Sequence, residues 1–375
     1  MVKKNKNIHI CHLTSAHFRY DTRIFIKMCS SLAMVENYKV SLVVADGIGD
    51  ELKNDVNIID VGVKTGGRIS RMTITVNKVY KKAKELDFDI YHLHDPELIP
   101  IGLKLKRLGK KVIFDSHEDV PKQMLGKPYL NAPLRRLISI VFGMYENYAC
   151  AKLDAIIAAT PYIRDKFLEI NTNSVDINNF PLLDELANTS DWSIKKDEVS
   201  YIGGIAKIRG IEQIVKAMTF TKGVRLNLAG KFSEQDTEKM IKSYSGWKKV
   251  NDLGYLSRQE VADVLERSKI GLVTFLPLPN HVDAQPNKMF EYMSAGIPIV
   301  TSNFPLWREI VEGNECGLCV DPMNPQEIAE ALMYLIEHPG EAEEMGRLGR
   351  QAVEEKYNWV IEEKKLFKLY KGLLT

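Results

Sequence analysis

Hydrophobic and polar positions alternate in blocks along the first half of the chain. Its apolar runs are IHICHL (8–13), VSLVVA (40–45), VNIIDV (56–61), DIYHLH (89–94), KVIFDS (111–116) and AIIAAT (155–160). Such runs are typical of strands that are buried on both faces of a parallel sheet. Amphipathic segments of helical period lie between them, for example at 22–33, 76–86 and 98–108. This alternation predicts a doubly wound α/β domain.

The second half repeats the same organisation. Its predicted strands are EVSYIG (198–203), VRLNLAG (224–230), KVNDLG (249–254), IGLVTF (270–275) and IPIVTS (297–302). A chain of 375 residues is long enough for two domains. We therefore expect α/β domains at 1–180 and 198–357, a polar linker at 181–197, and a C-terminal helix at 358–375 that packs back across the domain junction. Ligands of such sheets bind beyond the carboxyl ends of the strands.

Composition is that of a globular protein from a reducing compartment. Hydrophobic residues make up 45% and charged residues 27%, and no apolar run reaches the ~20 residues of a membrane-spanning helix. The five cysteines are an odd number, which argues against a disulfide framework. Cys316 and Cys319 form a CxxC, but no second pair of ligands lies nearby in the sequence, so we interpret it as a turn before a short buried strand. The protein is expected to stay in the cytoplasm.

Charge is distributed unevenly, although the net charge is only +2. Residues 1–180 carry an excess of Lys and Arg, and residues 181–375 an excess of Asp and Glu. The basic half is suited to an anionic partner, such as phospholipid headgroups or a phosphate on a substrate, although scattered, solvated lysines explain it equally well. No arginine-rich run or helix-turn-helix pattern points to nucleic acid.

An amphipathic segment at 134–145, with Arg135 and Arg136 at its start, leaves two interpretations open. One is peripheral docking on an anionic membrane surface, the inner face of the cell membrane. The other is an ordinary helix that is packed on the sheet.

A nicotinamide-dependent oxidoreductase is the simplest alternative for a chain of two α/β domains. That class needs a G-x-G-x-x-G turn after its first strand. The chain after IHICHL reads TSAHFRYD, which contains no glycine. The sequence therefore argues against dinucleotide-dependent redox chemistry.

The most informative stretch is HVDAQPNKMFEYMSAGIPIVTSNFP at 281–305. A helix is predicted at 287–294, with a buried strand after it. Asp283 lies in the loop before this helix and Glu291 lies within it, with Lys288 one turn earlier. The arrangement offers two carboxylates for sugar or ribose hydroxyls and one cation for a phosphate.

This stretch resembles the E-x7-E signature of the retaining glycosyltransferases with the GT-B fold, especially family 4. The family form is a Glu, seven residues, and then Glu-(Ala/Tyr)-Met-x-x-Gly-x-Pro with two aliphatic residues; the chain has FEYMSAGIPIV in place, with Asp283 where the first Glu is expected. The resemblance extends along most of the chain and implies two Rossmann-like α/β/α domains facing across a cleft. It assigns Glu291 to the ribose hydroxyls of a nucleotide-sugar donor and Asp283, with help from His281, to the transferred sugar.

A glycine-containing turn follows the first strand of the second half, in YIGGIAKIRGIEQIV at 201–215. Backbone N–H groups of such a turn, at the start of a helix and with an added cation, form a cradle for a diphosphate. The family version reads Gly-Arg, four residues, Lys-Gly, and here Gly203-Gly204 and Arg209-Gly210 take those positions. Arg209 thus replaces the family lysine. Lys207 or Lys288 would supply the charge that is missing at the first pair.

Two further segments resemble donor-binding parts of the family. The loop at 253–256, which includes Tyr255, resembles the region that contacts the nucleobase. In VIFDSHEDV, His117 lies at a strand end, where the family residue contacts the donor sugar near the reacting carbon. A structural role is the alternative for this single histidine.

The first half also offers candidates for the acceptor. The loop at 15–25 follows the first strand and carries His17, Arg19 and Arg23, in what looks like a subgroup with an Asp-x-Arg pattern. These three side chains are expected to contact the acceptor or a phosphate. His94 and Asp95, at the end of another predicted strand, are expected to line the acceptor pocket.

Two patterns that suggest a metal site are rejected. Asp87 and Asp89 form a D-x-D before a predicted strand, at the end opposite the expected ligand site, so we assign them to a strand-start cap. His92 and His94 point to one face of their strand, and no separate cluster completes a site with Asp95. The resemblance implies that neither a metal nor another cofactor is required, because helix ends and cations neutralise the departing diphosphate.

The predicted reaction is transfer of a hexosyl or N-acetylhexosaminyl group from a UDP-sugar to a saccharide or polyprenyl-linked acceptor in surface polysaccharide synthesis. His117, Asp283, Arg209 and Lys288 are the expected catalytic residues. Retention implies front-face attack, in which the diphosphate helps to deprotonate the acceptor hydroxyl. A nucleotide-sugar 2-epimerase of similar architecture is one alternative. A non-catalytic sugar-nucleotide-binding subunit is the other, because Gly204 and Asp283 depart from the family pattern.

Overall fold

The computed structural model describes residues 7–126, 131–183, 185 and 191–374. These residues divide into two compact units. The first runs up to Asn179 and also takes in the residues from Val360 onward, and the second spans Phe180–Trp359. The expected linker at 181–197 lies partly outside the described residues.

A largely parallel sheet organises the first unit. Its strands are β1 (Ile8–Leu13), β2 (Tyr38–Val44), β3 (Glu51–Lys53), β4 (Val56–Asp60), β5 (Ile90–Leu93), β6 (Lys111–Ser116), β7 (Ala155–Ala158) and β8 (Ser174–Asp176). They are ordered β3-β4-β2-β1-β5-β6-β7-β8, with β3 antiparallel to β4 and the other neighbours parallel. The strand order reverses between β1 and β5, and the carboxyl ends at such a switch point are where these sheets bind ligands.

Helices connect the strands of the first unit. They are α1 (Ser30–Ala33), α2 (Arg68–Ser70), α3 (Val76–Leu86), α4 (Ile99–Arg107), α5 (Val120–Leu125), α6 (Ala132–Cys150) and α7 (Pro161–Leu168). A π-helical segment, Thr22–Cys29, leads into α1, and the Asp21 carboxylate caps it by accepting the N–H groups of Arg23 and Ile24. The strands and helices predicted for this half are present with small shifts at their ends, whereas the three-residue edge strands β3 and β8 were not predicted.

The second unit contains a parallel sheet of the same kind. Its strands are β9 (Lys196–Ile202), β10 (Arg225–Ala229), β11 (Val250–Gly254), β12 (Ser268–Val273), β13 (Ile299–Ser302) and β14 (Gly317–Val320), in the order β11-β10-β9-β12-β13-β14. Its helices are α8 (Ile211–Ala217), α9 (Gln235–Lys242), α10 (Arg258–Arg267), α11 (Asn287–Ser294), α12 (Pro305–Val311), α13 (Pro325–Glu337) and α14 (Pro339–Glu355). Cys316 and Cys319 are free thiols, the first directly before β14 and the second within it, as the turn-and-strand interpretation predicts.

Helix α11 occupies the predicted range 287–294, and Tyr292 fixes its position on the sheet. The Tyr292 ring packs against Gly271 of β12, where a Cβ would lie 2.3 Å from the ring. The hydroxyl oxygen of Tyr292 accepts a hydrogen bond of 2.9 Å from the N–H of Ile202 at the end of β9. This packing places the polar residues of α11 next to the carboxyl end of β9.

The last helix, α15 (Trp359–Leu374), belongs almost entirely to the first unit. Glu362 accepts a hydrogen bond of 2.8 Å from the N–H of Asn178, and Lys365 forms a 2.9 Å ion pair with Asp176. Tyr370 is fully buried. Across the described part of the chain, every helix falls short of the length or the apolar character that crossing a bilayer requires.

Candidate functional site

Helix α11 directs the Lys288 side chain into the interior of the second unit. Lys288 is 7% exposed and its Nζ lies 3.6 Å from the centroid of the Tyr201 ring. Among the described residues, this Nζ has no hydrogen-bond partner. Burial and the nearby Arg209 guanidinium lower the pKa of Lys288 well below its usual value. An ammonium group buried without an acceptor costs free energy, so this position is suited to an anionic ligand.

The turn after β9 lies beside this ammonium group. A Cβ at Gly203 would lie 3.5 Å from the Nζ of Lys288. Nη1 of Arg209 donates a hydrogen bond of 3.1 Å to the carbonyl oxygen of Gly204, and a Cβ at Gly204 would lie 2.6 Å from that Nη1. The two cations each lie 5.6 Å from the centroid of the Phe275 ring. The absence of side chains on the turn therefore makes room for two neighbouring cations.

Gly210 closes this turn in a conformation that requires glycine. Its φ is +79°, and a Cβ would lie 1.9 Å from the carbonyl oxygen of Thr274. The Thr274 hydroxyl is fully buried and lacks a hydrogen-bond partner within the described residues. It is thus a second unpaired polar group next to the turn.

Glu291 lies one helical turn after Lys288 on α11, so the two side chains project from the same side of the helix. Its Oε1 accepts a hydrogen bond of 2.8 Å from Nη1 of Arg258, whose Nε binds Glu185. The charges of Arg209 and Glu291 both act on the pKa of Lys288. The structure therefore brings Arg209, Lys288 and Glu291 together in one site.

The other donor-site candidates surround this group. Asp283 is half-buried in the turn ahead of α11. His281 is buried, and its Nδ1–H donates a hydrogen bond of 2.9 Å to the carbonyl oxygen of Leu276. Lys207 and Tyr255 are exposed, so neither contributes a buried charge or ring to the site.

In the first unit, His117 follows the end of β6 and is oriented by Asp115. Nε2 of His117 lies 2.9 Å from Oδ2 of the fully buried Asp115. Arg23 binds the same carboxylate with hydrogen bonds of 2.9 and 2.7 Å. Burial alone would raise the pKa of Asp115, but the Arg23 charge holds it well below its usual range. His117 therefore donates its Nε2–H to a carboxylate anion.

His17 lies next to His117, with 5.1 Å between the ring centroids. Its Nδ1 is 3.1 Å from Asp21 and its Nε2 is 3.4 Å from Asp95. Burial works against protonation, but the hydrogen bond to Asp21 and the charge of Asp95 outweigh it and raise the pKa of His17. The two histidines form a partly exposed polar surface near the carboxyl ends of β1 and β6.

The structure does not fit the expectation that Arg19 and Arg23 contact the acceptor or a phosphate, because both side chains are buried. Arg19 is 2% exposed and forms ion pairs of 2.7 Å with Asp46 and 3.1 Å with Glu51. Arg23 is 3% exposed, and besides Asp115 it binds the carbonyl oxygen of Ile177. Both guanidinium groups are therefore engaged within the first unit.

His94 and Asp95 are likewise buried rather than lining an open acceptor pocket. Oδ2 of Asp95 accepts hydrogen bonds from Thr14 Oγ1 (2.9 Å) and from the N–H of Ser15 (2.6 Å). His94 is 2% exposed and hydrogen-bonds to His12 and Asp115. These residues hold the loop and the histidines in place instead of presenting polar atoms to a ligand.

Three buried imidazoles, those of His12, His92 and His94, have nitrogen atoms within 4.8 Å of one another. Nδ1 of His12 lies 2.8 Å from Nε2 of His94, which is a hydrogen-bond distance. The His92 ring stacks on that of His94 at a centroid distance of 4.4 Å and is tilted against that of His12 at 4.6 Å. The hydrogen bond between His12 and His94, with the contacts of His12 and His92 to the Tyr370 hydroxyl, joins the three rings in one hydrogen-bonded cluster. The prediction that His92 and His94 share one face is confirmed.

Sequence reasoning missed three residues of these sites. His12 is a polar residue inside an apolar run, and that interruption was a usable signal. Tyr370 is separated from His12 by most of the chain, and nothing in its own helix indicates a polar contact. Arg258, the partner of Glu291, begins α10 after a serine cap and looks like an ordinary surface residue.

Two protein families match the chain, one on each unit. The family described as Glycosyltransferase Family 4 matches residues 23–177, and the family described as Glycosyl transferases group 1 matches residues 184–352. Between them the two matches take in most of the chain. The second match contains the glycine turn, Lys288 and Glu291.

Curated relatives and solved structures agree with these families. Glycogen synthase from Mycobacterium tuberculosis is 21% identical over 229 residues, which cover 57% of this chain and 53% of that enzyme, so the chain spans about half the length of that relative. Phosphatidyl-myo-inositol mannosyltransferase from Mycobacterium leprae is 21% identical over 303 residues, covering 77% of this chain and 75% of that one. HepE from Anabaena, solved in complex with UDP-glucose, is similar with a TM-score of 0.73 at 14% identity, covering 98% of this chain and 100% of that chain.

Structural similarity at this identity shows the fold, and the family matches show the family. The fold is the two-domain α/β GT-B fold that the sequence predicted. The chain belongs to the GT-B glycosyltransferases of family 4.

Proposed function

We propose that this protein transfers a hexosyl or N-acetylhexosaminyl group from a UDP-sugar to a saccharide or polyprenyl-linked acceptor, with retention at the anomeric carbon. The observation that carries the proposal is the buried Lys288 side chain, which lies beside Arg209 and the glycine turn and whose Nζ has no hydrogen-bond partner in the described part of the chain. Two basic side chains that lie side by side against a turn of backbone are suited to the diphosphate of a sugar nucleotide.

The rest of the donor follows from the same helix. Glu291, one turn beyond Lys288 and held by Arg258, is placed to accept hydrogen bonds from ribose hydroxyls. Asp283, ahead of the helix, would contact the transferred sugar, as the family resemblance implies. HepE, which has the same fold, is solved in complex with UDP-glucose, and this supports uridine as the base.

The proposed chemistry is substitution at the anomeric carbon. The bond from this carbon to the β-phosphate oxygen breaks, and a bond from the acceptor oxygen forms on the same face. Negative charge develops on the departing UDP, where Lys288 and Arg209 stabilise it, and the acceptor proton passes to the diphosphate. Because these two cations supply the charge, the proposed reaction requires no divalent metal.

An exposed apolar face of α6 supports an acceptor that is located at a membrane. Leu137, Ile140, Val141 and Met144 are each more than half exposed, and they recur at helical spacing. Two arginines lie near the start of the helix, as in helices that lie on anionic lipid surfaces. The relative of this chain from Mycobacterium leprae is named phosphatidyl-myo-inositol mannosyltransferase, after a phosphatidyl lipid. We therefore assign this face to an anionic lipid bilayer.

Nucleoside diphosphate release tests the proposal and separates it from its alternatives. The full chain is incubated with UDP-, GDP- and ADP-sugars and a set of saccharide and lipid-linked acceptors. A transferase releases the nucleoside diphosphate and forms a product whose anomeric configuration, read by NMR, matches that of the donor. An epimerase changes the sugar without release, and a binding subunit does neither; either result contradicts the proposal.

A further inference from the structure

A chain of hydrogen bonds runs from the partly exposed His117 into the interior of the first unit. Asp115 Oδ2 contacts Nε2 of His117 at 2.9 Å and Nδ1 of His94 at 3.1 Å. Nε2 of His94 contacts Nδ1 of His12 at 2.8 Å, and Nε2 of His12 lies 3.3 Å from the Tyr370 hydroxyl. These hydrogen bonds join His117, Asp115, His94, His12 and Tyr370 of helix α15 in one line.

The direction of every bond in this line follows from the carboxylate. A carboxylate anion can only accept, so Nδ1 of His94 must carry a proton. Burial, despite the bond to Asp115, lowers the pKa of His94, so this ring is neutral and its Nε2 is an acceptor. His12 must therefore donate from Nδ1.

The same reasoning continues to the end of the line. Burial and the neighbouring His94 lower the pKa of His12 well below its usual value, so its Nε2 accepts from the Tyr370 O–H. The Tyr370 oxygen in turn accepts from Nδ1 of His92 at 2.8 Å. Nε2 of His92 therefore carries no proton, and within the described residues this buried atom has no hydrogen-bond partner. All donors point towards Asp115, and bonds aligned in this way strengthen one another in a low-dielectric interior.

We infer that Asp115, His94, His12 and Tyr370 are positioning residues of the transfer reaction. They keep the Nε2–H of His117 hydrogen-bonded to the Asp115 carboxylate. Nδ1 of His117 is then the ring nitrogen that contacts a hydroxyl of the donor sugar. The inference deepens the proposed function and rests on it. His117 contacts the substrate in this account, whereas the other four residues act through it.

Among the described residues, the charged groups that face this line of hydrogen bonds include Arg23 and His17. Arg23 faces it but is paired with Asp115. Cys11, Cys29 and Tyr38 face Tyr370. Burial raises the pKa of each of these three groups, so all are neutral. On the outer side, His17 lies next to His94 and His117 and is held by Asp21 and Asp95.

The tautomers can be measured directly in the full chain. In ¹⁵N-histidine-labelled protein, long-range proton–nitrogen correlations distinguish Nδ1–H from Nε2–H rings. The expected result is Nδ1–H for His12, His92 and His94, with Nε2–H retained on His117. An Nε2–H tautomer at His12 or His94 would reverse the line and overturn the inference.

A double-mutant cycle tests the link to the reaction. Tyr370→Phe removes the O–H that fixes the tautomer of His12, and we expect kcat to fall about fivefold, the size of one buried hydrogen bond, with UDP affinity unchanged. In the His117→Ala background, Tyr370→Phe should have no further effect on kcat. The matched control is Tyr91→Phe, which also removes a buried hydroxyl, bonded to the carbonyl oxygen of Ala83, and should leave kcat unchanged.

The outcomes separate this inference from the function on which it rests. A wild-type protein that transfers no sugar overturns both. If wild-type transfer is normal but Tyr370→Phe costs the same factor in both backgrounds, the residue acts on stability alone and only the positioning inference is overturned.

Discussion

Tyr201 holds the Lys288 ammonium group and the glycine turn at the same time. The Nζ of Lys288 lies 3.6 Å from the centroid of the Tyr201 ring, and the Tyr201 hydroxyl donates a hydrogen bond of 3.0 Å to the carbonyl oxygen of Gly204. A cation over an aromatic face gains about 0.5–2 kcal/mol, less than a desolvated ammonium group loses. The Lys288 side chain is therefore fixed in place before a ligand binds, and its lowered pKa means that an anionic ligand, on binding, favours its protonation.

Replacing Glu291 with Ala should weaken the binding of UDP without affecting that of inorganic pyrophosphate. The Glu291 carboxylate is assigned to ribose hydroxyls, and a hydrogen bond to a charged group contributes about 1.5–3 kcal/mol, so a loss of about 10- to 100-fold in UDP affinity is expected. Calorimetric titration with each ligand measures the effect, with the exposed Glu309→Ala as the control. An equal loss for both ligands would place Glu291 on the phosphates instead.

Gly204→Ala should reduce UDP affinity about threefold to tenfold with little change in stability. A Cβ at this position would lie 2.6 Å from Nη1 of Arg209, so the flexible guanidinium must move out of the site. Such a shift at the end of a side chain usually changes stability by less than about 0.5 kcal/mol. Gly340→Ala, where a Cβ meets nothing within 4 Å, is the matched control. Unchanged UDP affinity in Gly204→Ala would show that Arg209 does not contact the nucleotide.

Acid should destabilise the protein through its buried histidines. Burial lowers the pKa of His12, His92 and His94 below 6.5, so the unfolded chain binds protons first as the pH falls. The free energy of unfolding is then fully present above about pH 6.5 and decreases below it, by up to about 1.4 kcal/mol per pH unit for each ring. His17 opposes this trend, because a group whose pKa is raised by folding stabilises the folded protein more at low pH.

Urea denaturation across the range from about pH 7.5 to about pH 5 measures this dependence. His92→Phe should show a shallower slope than the wild-type protein, because it removes one of the three rings. A free energy of unfolding that rises on acidification, or slopes that are equal in the two proteins, would contradict the protonation states assigned to the cluster.

Glutamate at Leu137 or Met144 should abolish binding to anionic vesicles. These side chains are 58% and 69% exposed on α6, and a charge there opposes both the insertion of the apolar face and the attraction to anionic lipid. Sedimentation with phosphatidylglycerol-containing vesicles at low salt measures binding, with pure phosphatidylcholine for comparison. Met323→Glu, at an exposed position of the second unit, is the control. If the wild-type protein did not sediment with the anionic vesicles, the proposal that α6 binds an anionic bilayer would be wrong.

The fold was largely predictable because both sheets are built from continuous apolar runs. Helix α11 was predicted to the residue, since an apolar helical pattern ends at Gly296 and a buried strand follows. The edge strands β3 and β8 were missed because three residues carry too little hydrophobic pattern to distinguish a strand from a loop.

The candidate site was predictable only where its residues lie close together in the sequence. Lys288 and Glu291 share one helix, so their local spacing was enough to group them, whereas Arg209 after the glycine turn was joined to them by the family resemblance. Arg19 and Arg23 looked like free cations because their partners, among them Asp46 and Asp115, are distant in the sequence. The role of Tyr370 depends in the same way on a contact with His12 that only the folded chain forms.

Titration of the wild-type protein and of Lys288→Gln with UDP tests the central claim most directly. We expect the wild-type protein to bind UDP with uptake of protons, because bound diphosphate raises the lowered pKa of Lys288. Affinity should fall about 10- to 100-fold in Lys288→Gln, with loss of the proton uptake. The control Lys269→Gln, which replaces a half-buried lysine that is paired with Asp197, should behave as wild type. Equal UDP affinity in the wild-type and Lys288→Gln proteins, or no binding by either, would contradict the account.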